Sequence, residues 1–184
     1  MTDASGAALV AELTEAGETL ACAESLTAGL VAATVADTPG ASNVLRGGVV
    51  AYAPDLKTAL LGVPADLLER VGTVDAGVAA AMAEGVRERL EATWGLATTG
   101  VAGPGAAEGH PAGTVHVAVA GPTGTATRLL RLNGTRAQVR AGTVAAVLAL
   151  ALRETRATRG TAAPVTDPRG TVGLSAPGAP ATDD

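Results

Sequence analysis

A chain with no phenylalanine, one tryptophan (Trp94) and one tyrosine (Tyr52) has to build its interior from small aliphatic side chains. Burial stabilises in proportion to apolar area and not to aromatic content as such. A chain of 184 residues rich in Ala and Val is therefore long enough for one domain and a tail. The same scarcity argues against a single-stranded nucleic-acid binder, which needs aromatic stacking platforms. A formal charge of −5 points the same way, because holding a phosphate backbone takes a basic field. The single cysteine, Cys22, cannot close an internal disulfide and fits a reducing, cytoplasmic setting. The first five residues lack the basic and apolar regions of a signal peptide. The longest apolar stretch, Val144 to Leu152, is too short to span a bilayer, so no membrane partner is expected.

Short apolar runs alternate with segments of helical spacing. Ala7 to Leu13 reads as a helix ended near Gly17, and Thr19 to Ala23 as a buried strand. Leu26 to Ala36 carries Leu30, Val31 and Val35 at helical spacing, and turn chemistry makes a loop of Thr38 to Asn43. Gly47 to Tyr52 reads as a second strand. Pro54 suits the first turn of a short helix through Lys57 to Leu61, and Ala65 to Val71 forms another. Asp75 is placed to cap a long helix that turns Val78, Met82, Val86 and Leu90 inward, with Arg87 and Glu91 spaced to pair outside. Leu96 to Thr99 is a third strand, followed by a glycine-rich loop from Gly100 to Gly113. Thr114 to Ala120 and Ala126 to Leu132 flank Gly121-Pro122-Thr123-Gly124 as a β-hairpin, and Thr135 to Arg153 is the last helix. This order implies a layered α/β domain with a mixed sheet over residues 5–156. Composition from residue 157 to 184 reads as a disordered tail.

Four segments could carry chemistry. In Ala23-Glu24-Ser25-Leu26-Thr27-Ala28-Gly29 a hydroxyl stands at a strand-to-helix turn, near helix N–H groups able to stabilise an oxyanion; taken alone, Ser25 is better explained as a helix N-cap. In Tyr52-Ala53-Pro54-Asp55-Leu56-Lys57, a buried lysine could serve a serine as base, with a tyrosine relaying the proton; the plain alternative is a solvated Lys57 and a Tyr52 that fills the core. Lys57 is the only lysine, and every other basic residue is an arginine, which cannot act as a general base. Thr98-Thr99-Gly100-Val101-Ala102-Gly103-Pro104-Gly105 lets backbone N–H groups approach a ligand but is neither a P-loop nor a dinucleotide fingerprint. Arg136 and Arg140 share one helix face near its amino end, which suits a phosphate, although a solvated face would look the same. His110 and His116 have no metal-ligand spacing with any partner, and a Ser-His hydrolase using His116 is a further alternative.

Together these segments resemble the CinA (competence/damage-inducible) C-terminal domain family and its stand-alone nicotinamide-nucleotide amidohydrolases, from about Ala7 to Arg153. The family's Ala-Glu-Ser-x-Thr-Gly-Gly stands here as Ala23 to Gly29, and its Gly-x-Val-x-Tyr-x-x-x-x-Lys as Gly48 to Lys57. Its Ser/Thr-Gly-x-Ala-Gly-Pro stands as Thr99 to Pro104, and its Pro-x-Gly-Thr-Val as Pro111 to Val115. The resemblance implies a three-layer α/β/α domain and a serine amidohydrolase that deamidates nicotinamide mononucleotide to nicotinate mononucleotide and ammonia in pyridine nucleotide salvage. By motif, Ser25 is the nucleophile, Lys57 its base and Tyr52 an assistant. Thr27, Gly29, Thr99, Gly100, Gly103, Arg136 and Arg140 are expected to bind substrate, the two arginines at its phosphate. The resemblance implies no metal, no organic cofactor, and a homodimer or higher homo-oligomer. A mononucleotide-binding or regulatory module with weak turnover is the alternative, because Ala28 replaces the first glycine of the family pair. Thr135 likewise stands where Asp is usual, and the 184 residues do not represent the nucleotide-processing N-terminal domain of full-length members.

Overall fold

The computed structural model describes residues 4–161. In chain order they form α1 (Ala4–Ala16), β1 (Leu20–Glu24), α2 (Leu30–Ala36), a 3-10 turn (Ala41–Asn43), β2 (Leu45–Val50), α3 (Pro54–Leu61), α4 (Ala65–Val71), α5 (Ala76–Arg89), β3 (Trp94–Gly100), β4 (Thr114–Gly121), β5 (Gly124–Arg131) and α6 (Arg136–Thr161). The strands make one mixed sheet in the order β2-β1-β3-β4-β5. β1 pairs in parallel with β2 and β3, and β3-β4 and β4-β5 are antiparallel. The expected α/β fold with a mixed sheet is the observed one.

Side chains alternate across each strand, so the sheet has two different faces. On one, Leu20, Cys22, Leu96, Val115 and Val117 pack beneath α1, α2 and α6. On the other, Ala21, Ala23, Ala97, Ala118 and Ala120 lie under α5, which buries Val78, Met82 and Val86. The alanine face is thin, and the helix sits close on it. A Cβ added at Gly95 would stand 2.0 Å from the Ala83 carbonyl oxygen, and one at Gly85 1.8 Å from that of Leu61. Both obstacles are backbone and cannot swing aside. Gly95→Ala is therefore expected to cost about 3 kcal/mol, read as a lower denaturant midpoint at unchanged slope.

The topology places a crevice. From β1 the chain crosses through α2 to β2 on one side and returns through α5 to β3 on the other, and these helices lie on opposite faces. The carboxyl end of β1 is thus a switch point, where open α/β sheets bind ligands. Trp94 begins β3 at the opposite end, with its indole N–H donating to Glu18 Oε2 at 2.8 Å.

Several local expectations change. Residues 41–43 of the expected loop form the 3-10 turn. Arg87 and Glu91 do not pair: α5 ends at Arg89 and Glu91 turns to a φ of 50°, so Arg87 Nε donates to the Thr93 carbonyl at 2.9 Å. Glu91 instead meets Arg46 at 3.7 Å. Tyr52 lies beyond β2 and is 51% exposed, so it fills no core. The last helix continues past Arg153 to Thr161, taking in the first residues assigned to the tail, and Arg156 Nε ties it to Glu12 at 2.6 Å. The rest of that tail, residues 162–184, lies outside the described residues.

Candidate active site

Ser25 continues the β1-β3 ladder by one bond, its N–H donating to the Thr98 carbonyl at 3.0 Å. A turn then occupies residues 26–29 before α2 opens at Leu30. Ser25 is therefore not the helix cap. That place belongs to Gly29, at φ 91°, with no capping side chain. The first N–H groups of α2 are not available for an oxyanion either. Glu24, buried at the end of β1, accepts from Val31 N at 3.0 Å and Ala32 N at 2.9 Å. A carboxylate at a helix amino end satisfies orphan donors and complements the helix dipole. Sequence reading missed this role because it joins two elements that only the fold brings together.

Lys57 lies in α3 with its side chain 1% exposed. Its Nζ stands 3.1 Å from Ser25 Oγ and donates to the Ala51 carbonyl at 2.9 Å. Burial pushes its pKa below the usual lysine range, and the Glu108 carboxylate partly opposes that shift. Lowering the pKa of a lysine raises the share of neutral amine, the form that can take a proton from a serine hydroxyl. Of the alternatives weighed from sequence, the solvated lysine is excluded. Neither histidine lines the cavity beside Ser25, and His116 Nδ1 is buried without a partner among the described residues.

Half-buried Ser25 opens into a cavity of about 360 Å³. Its walls come from the carboxyl ends of three parallel strands: Ser25 after β1, Tyr52 after β2, and Gly100 to Gly103 at and after β3. Gly100 has a φ of 154°, and a Cβ there would stand 2.5 Å from the Thr114 carbonyl oxygen, so only glycine lets the loop leave the strand this closely. Arg136, at the start of α6, spans the mouth: Nη1 donates to the Gly103 carbonyl at 3.0 Å and Nη2 to Tyr52 Oη at 2.5 Å. Tyr52 hydrogen-bonds to Arg136 and not to Ser25 or Lys57.

Four expected binding residues stand behind the wall. Thr27 is buried, and its hydroxyl pairs with Thr98 Oγ1 at 2.7 Å. Thr99 is buried and donates to the Thr73 carbonyl at 2.7 Å. Arg140 donates through Nε to the Leu26 carbonyl at 3.0 Å and through Nη2 to that of Thr27 at 2.7 Å. Gly29 serves the backbone turn. Thr27, Gly29 and Arg140 hold the segment after the serine, and Thr99 holds Thr73, instead of facing the cavity. Glu108, which the sequence reading did not single out, does line it. The only carboxylate of the glycine-rich loop was the available signal.

Ala28 is exposed, off the cavity wall, and held at φ 51°. An L-residue there crowds its Cβ against the next carbonyl, whereas glycine does not. Ala28→Gly is expected to stabilise the fold by about 1 kcal/mol, visible as a raised denaturant midpoint.

The family model described as the CinA C-terminal domain matches residues 3–155. A CinA-like protein of Frankia casuarinae is 52% identical over 141 residues, which cover 77% of this chain and 33% of the relative. A putative competence-damage inducible protein of Desulforamulus reducens is 52% identical over 139 residues, covering 76% and 34%. The chain thus spans about a third of the length of these relatives. The crystal structure of the competence/damage inducible protein CihA from Agrobacterium tumefaciens superposes with a TM-score of 0.80 at 31% identity, covering 84% of this chain and 95% of that one. A CinA superfamily protein from Klebsiella pneumoniae gives 0.82 at 27% identity, covering 85% and 99%. Among the described residues no helix is long and apolar enough to cross a membrane. With the domain model matched over nearly the whole described chain and the same sheet and helices found in solved members, the protein belongs to the CinA C-terminal domain family.

Proposed function

We propose that the protein is a serine amidohydrolase that converts nicotinamide mononucleotide to nicotinate mononucleotide and ammonia. The observation that carries this reading is the 3.1 Å contact between Ser25 Oγ and the buried Lys57 amine, at the floor of a cavity on the sheet's switch point. It is the nucleophile-base contact that activated hydroxyls require.

In this reading neutral Lys57 accepts the Ser25 proton as Oγ attacks the carboxamide carbon. The N–H groups of Leu26 and Thr27 donate to no other protein group among the described residues; that of Leu26, which lines the cavity, is the donor left beside the nucleophile for the developing oxyanion. Arg140 fixes their position through the Leu26 and Thr27 carbonyls. The tetrahedral intermediate collapses as Lys57 returns the proton to the departing amine, releasing ammonia and leaving an ester on Ser25. Water then attacks the ester, Lys57 takes its proton and passes it to Ser25 Oγ, and the carboxylic acid product leaves. The exposed guanidinium of Arg136 at the mouth supplies a cation for the 5′-phosphate. The cavity volume is at the small end of the ~300–1,000 Å³ typical of small-molecule sites.

The family resemblance supports the choice of substrate and a homo-oligomeric, cytoplasmic enzyme. The weak-turnover alternative rested on Ala28, which does not line the cavity. Ammonia release from nicotinamide mononucleotide, followed with the purified chain, tests the proposal. Saturable binding by calorimetry with no ammonia would replace it with the binding-module reading.

A further inference from the structure

Among the described residues the cavity wall carries one acid, Glu108, and one base, Arg136, both exposed. The arginine suits a phosphate. Nothing in the hydrolytic scheme uses the carboxylate, yet several features fix it in place. Thr73 donates to it twice, from its N–H to Oε2 at 2.6 Å and from its hydroxyl to Oε1 at 2.7 Å. Neighbouring Gly72 leaves the room: a Cβ there would stand 2.6 Å from Glu108 Oε2. Glu108 itself holds a φ of 50°, a conformation that L-residues adopt at a cost. Thr73 is in turn fixed from below, where its carbonyl accepts from Thr99 at 2.7 Å. A carboxylate can accept about four hydrogen bonds, so the two from Thr73 leave it able to face a ligand. Its charge is also felt at Lys57, which places it within electrostatic reach of the reacting atoms.

We propose that Glu108 is a specificity-determining residue that favours substrates whose amide-bearing ring is positively charged. The proposal rests on the amidohydrolase reading and deepens it. A pyridinium mononucleotide has two charges of opposite sign, the ring cation beside the carboxamide and the phosphate at the far end. The cavity has the matching pair, Glu108 on the loop beside Ser25 and Arg136 at the mouth. An anion held in place at the cleft wall attracts a ring cation bound beside it, whereas a neutral ring of the same shape gains nothing from the charge.

The test compares nicotinamide mononucleotide with its dihydro form. The two share the ribose phosphate and carboxamide, but the dihydro ring is neutral. Their carboxamides differ in intrinsic reactivity, so the informative quantity is how each substrate responds to Glu108→Gln. This variant keeps an acceptor for Thr73 and removes the charge. It is expected to lower kcat/KM for the pyridinium substrate about tenfold, chiefly through KM, and to leave the dihydro substrate within about twofold. Glu108→Asp, which keeps the charge, should retain most of the preference. Equal losses on both substrates would reduce Glu108 to a loop prop and overturn the proposal, as would no loss on either. A second arm measures the affinity of Ser25→Ala protein, with and without Glu108→Gln, for both mononucleotides by calorimetry. If no ammonia is released but the pyridinium preference persists in binding, the hydrolase reading fails and the selectivity stands. If neither mononucleotide binds, the selectivity fails as well.

Discussion

Ser25→Ala is expected to lower ammonia release from nicotinamide mononucleotide by about 10³-fold or more, the scale of loss when a covalent nucleophile is removed. Among the described residues Ser25 Oγ has one hydrogen-bonding partner, Lys57 Nζ, and it opens into the cavity, so the deletion leaves little unsatisfied. The variant should unfold at nearly the wild-type denaturant concentration and bind the mononucleotide with similar affinity. Activity that survives in such a folded variant would remove Ser25 from the chemistry.

Lys57→Met should abolish turnover to a similar degree while retaining an unbranched side chain in the same buried slot. Lys57→Arg should not rescue it, since a guanidinium stays protonated and cannot act as a base. The pH dependence follows from the lowered pKa. The neutral amine is the active form, so kcat/KM should rise with pH through the depressed value of Lys57 and level off above it. Stability has the same sign. Between that depressed value and the ordinary lysine value of about 10.4, the unfolded chain holds a proton at this site that the folded chain has released. Folding stability therefore rises with pH across the window and is lowest below it, where the fold must bury a charge. Unfolding titrations should show this rise in the wild type and lose it in Lys57→Met. A rate profile that ignores the substitution, or a rise that persists in the variant, would exclude Lys57 as the buried base.

The sequence was readable where one element decides the outcome. Asp75 caps α5, its carboxylate accepting from Gly77 N at 2.7 Å, and Pro54 opens α3. Gly121 to Gly124 turns the hairpin. The lone lysine, singled out as the chain's one ε-amine, is the side chain that the fold buries 3.1 Å from Ser25 Oγ. Misreadings arose where two elements meet. Apolar spacing extended α2 back to Leu26, but Ala28 and Gly29 both take positive φ and break the periodicity. Thr98 and Thr99 are neighbours in a strand buried on both faces, so neither faces the cavity. Arg140 does share a helix face with Arg136, yet the packing of α6 sets it against the turn after β1, four residues deeper than the mouth. Glu24 and Glu108 act on segments seven and thirty-five residues away, beyond any local pattern.

The burial of Lys57 has a practical consequence. A chain with one ε-amine, sealed against Ser25, reports on its own opening. Under native conditions Lys57 is 1% exposed, so an amine-selective reagent larger than water is expected to reach the nitrogen through local opening or unfolding. Labelling at Lys57 would then track the frequency of such excursions without an introduced probe. A substrate that binds in the cavity should slow that labelling in proportion to its occupancy.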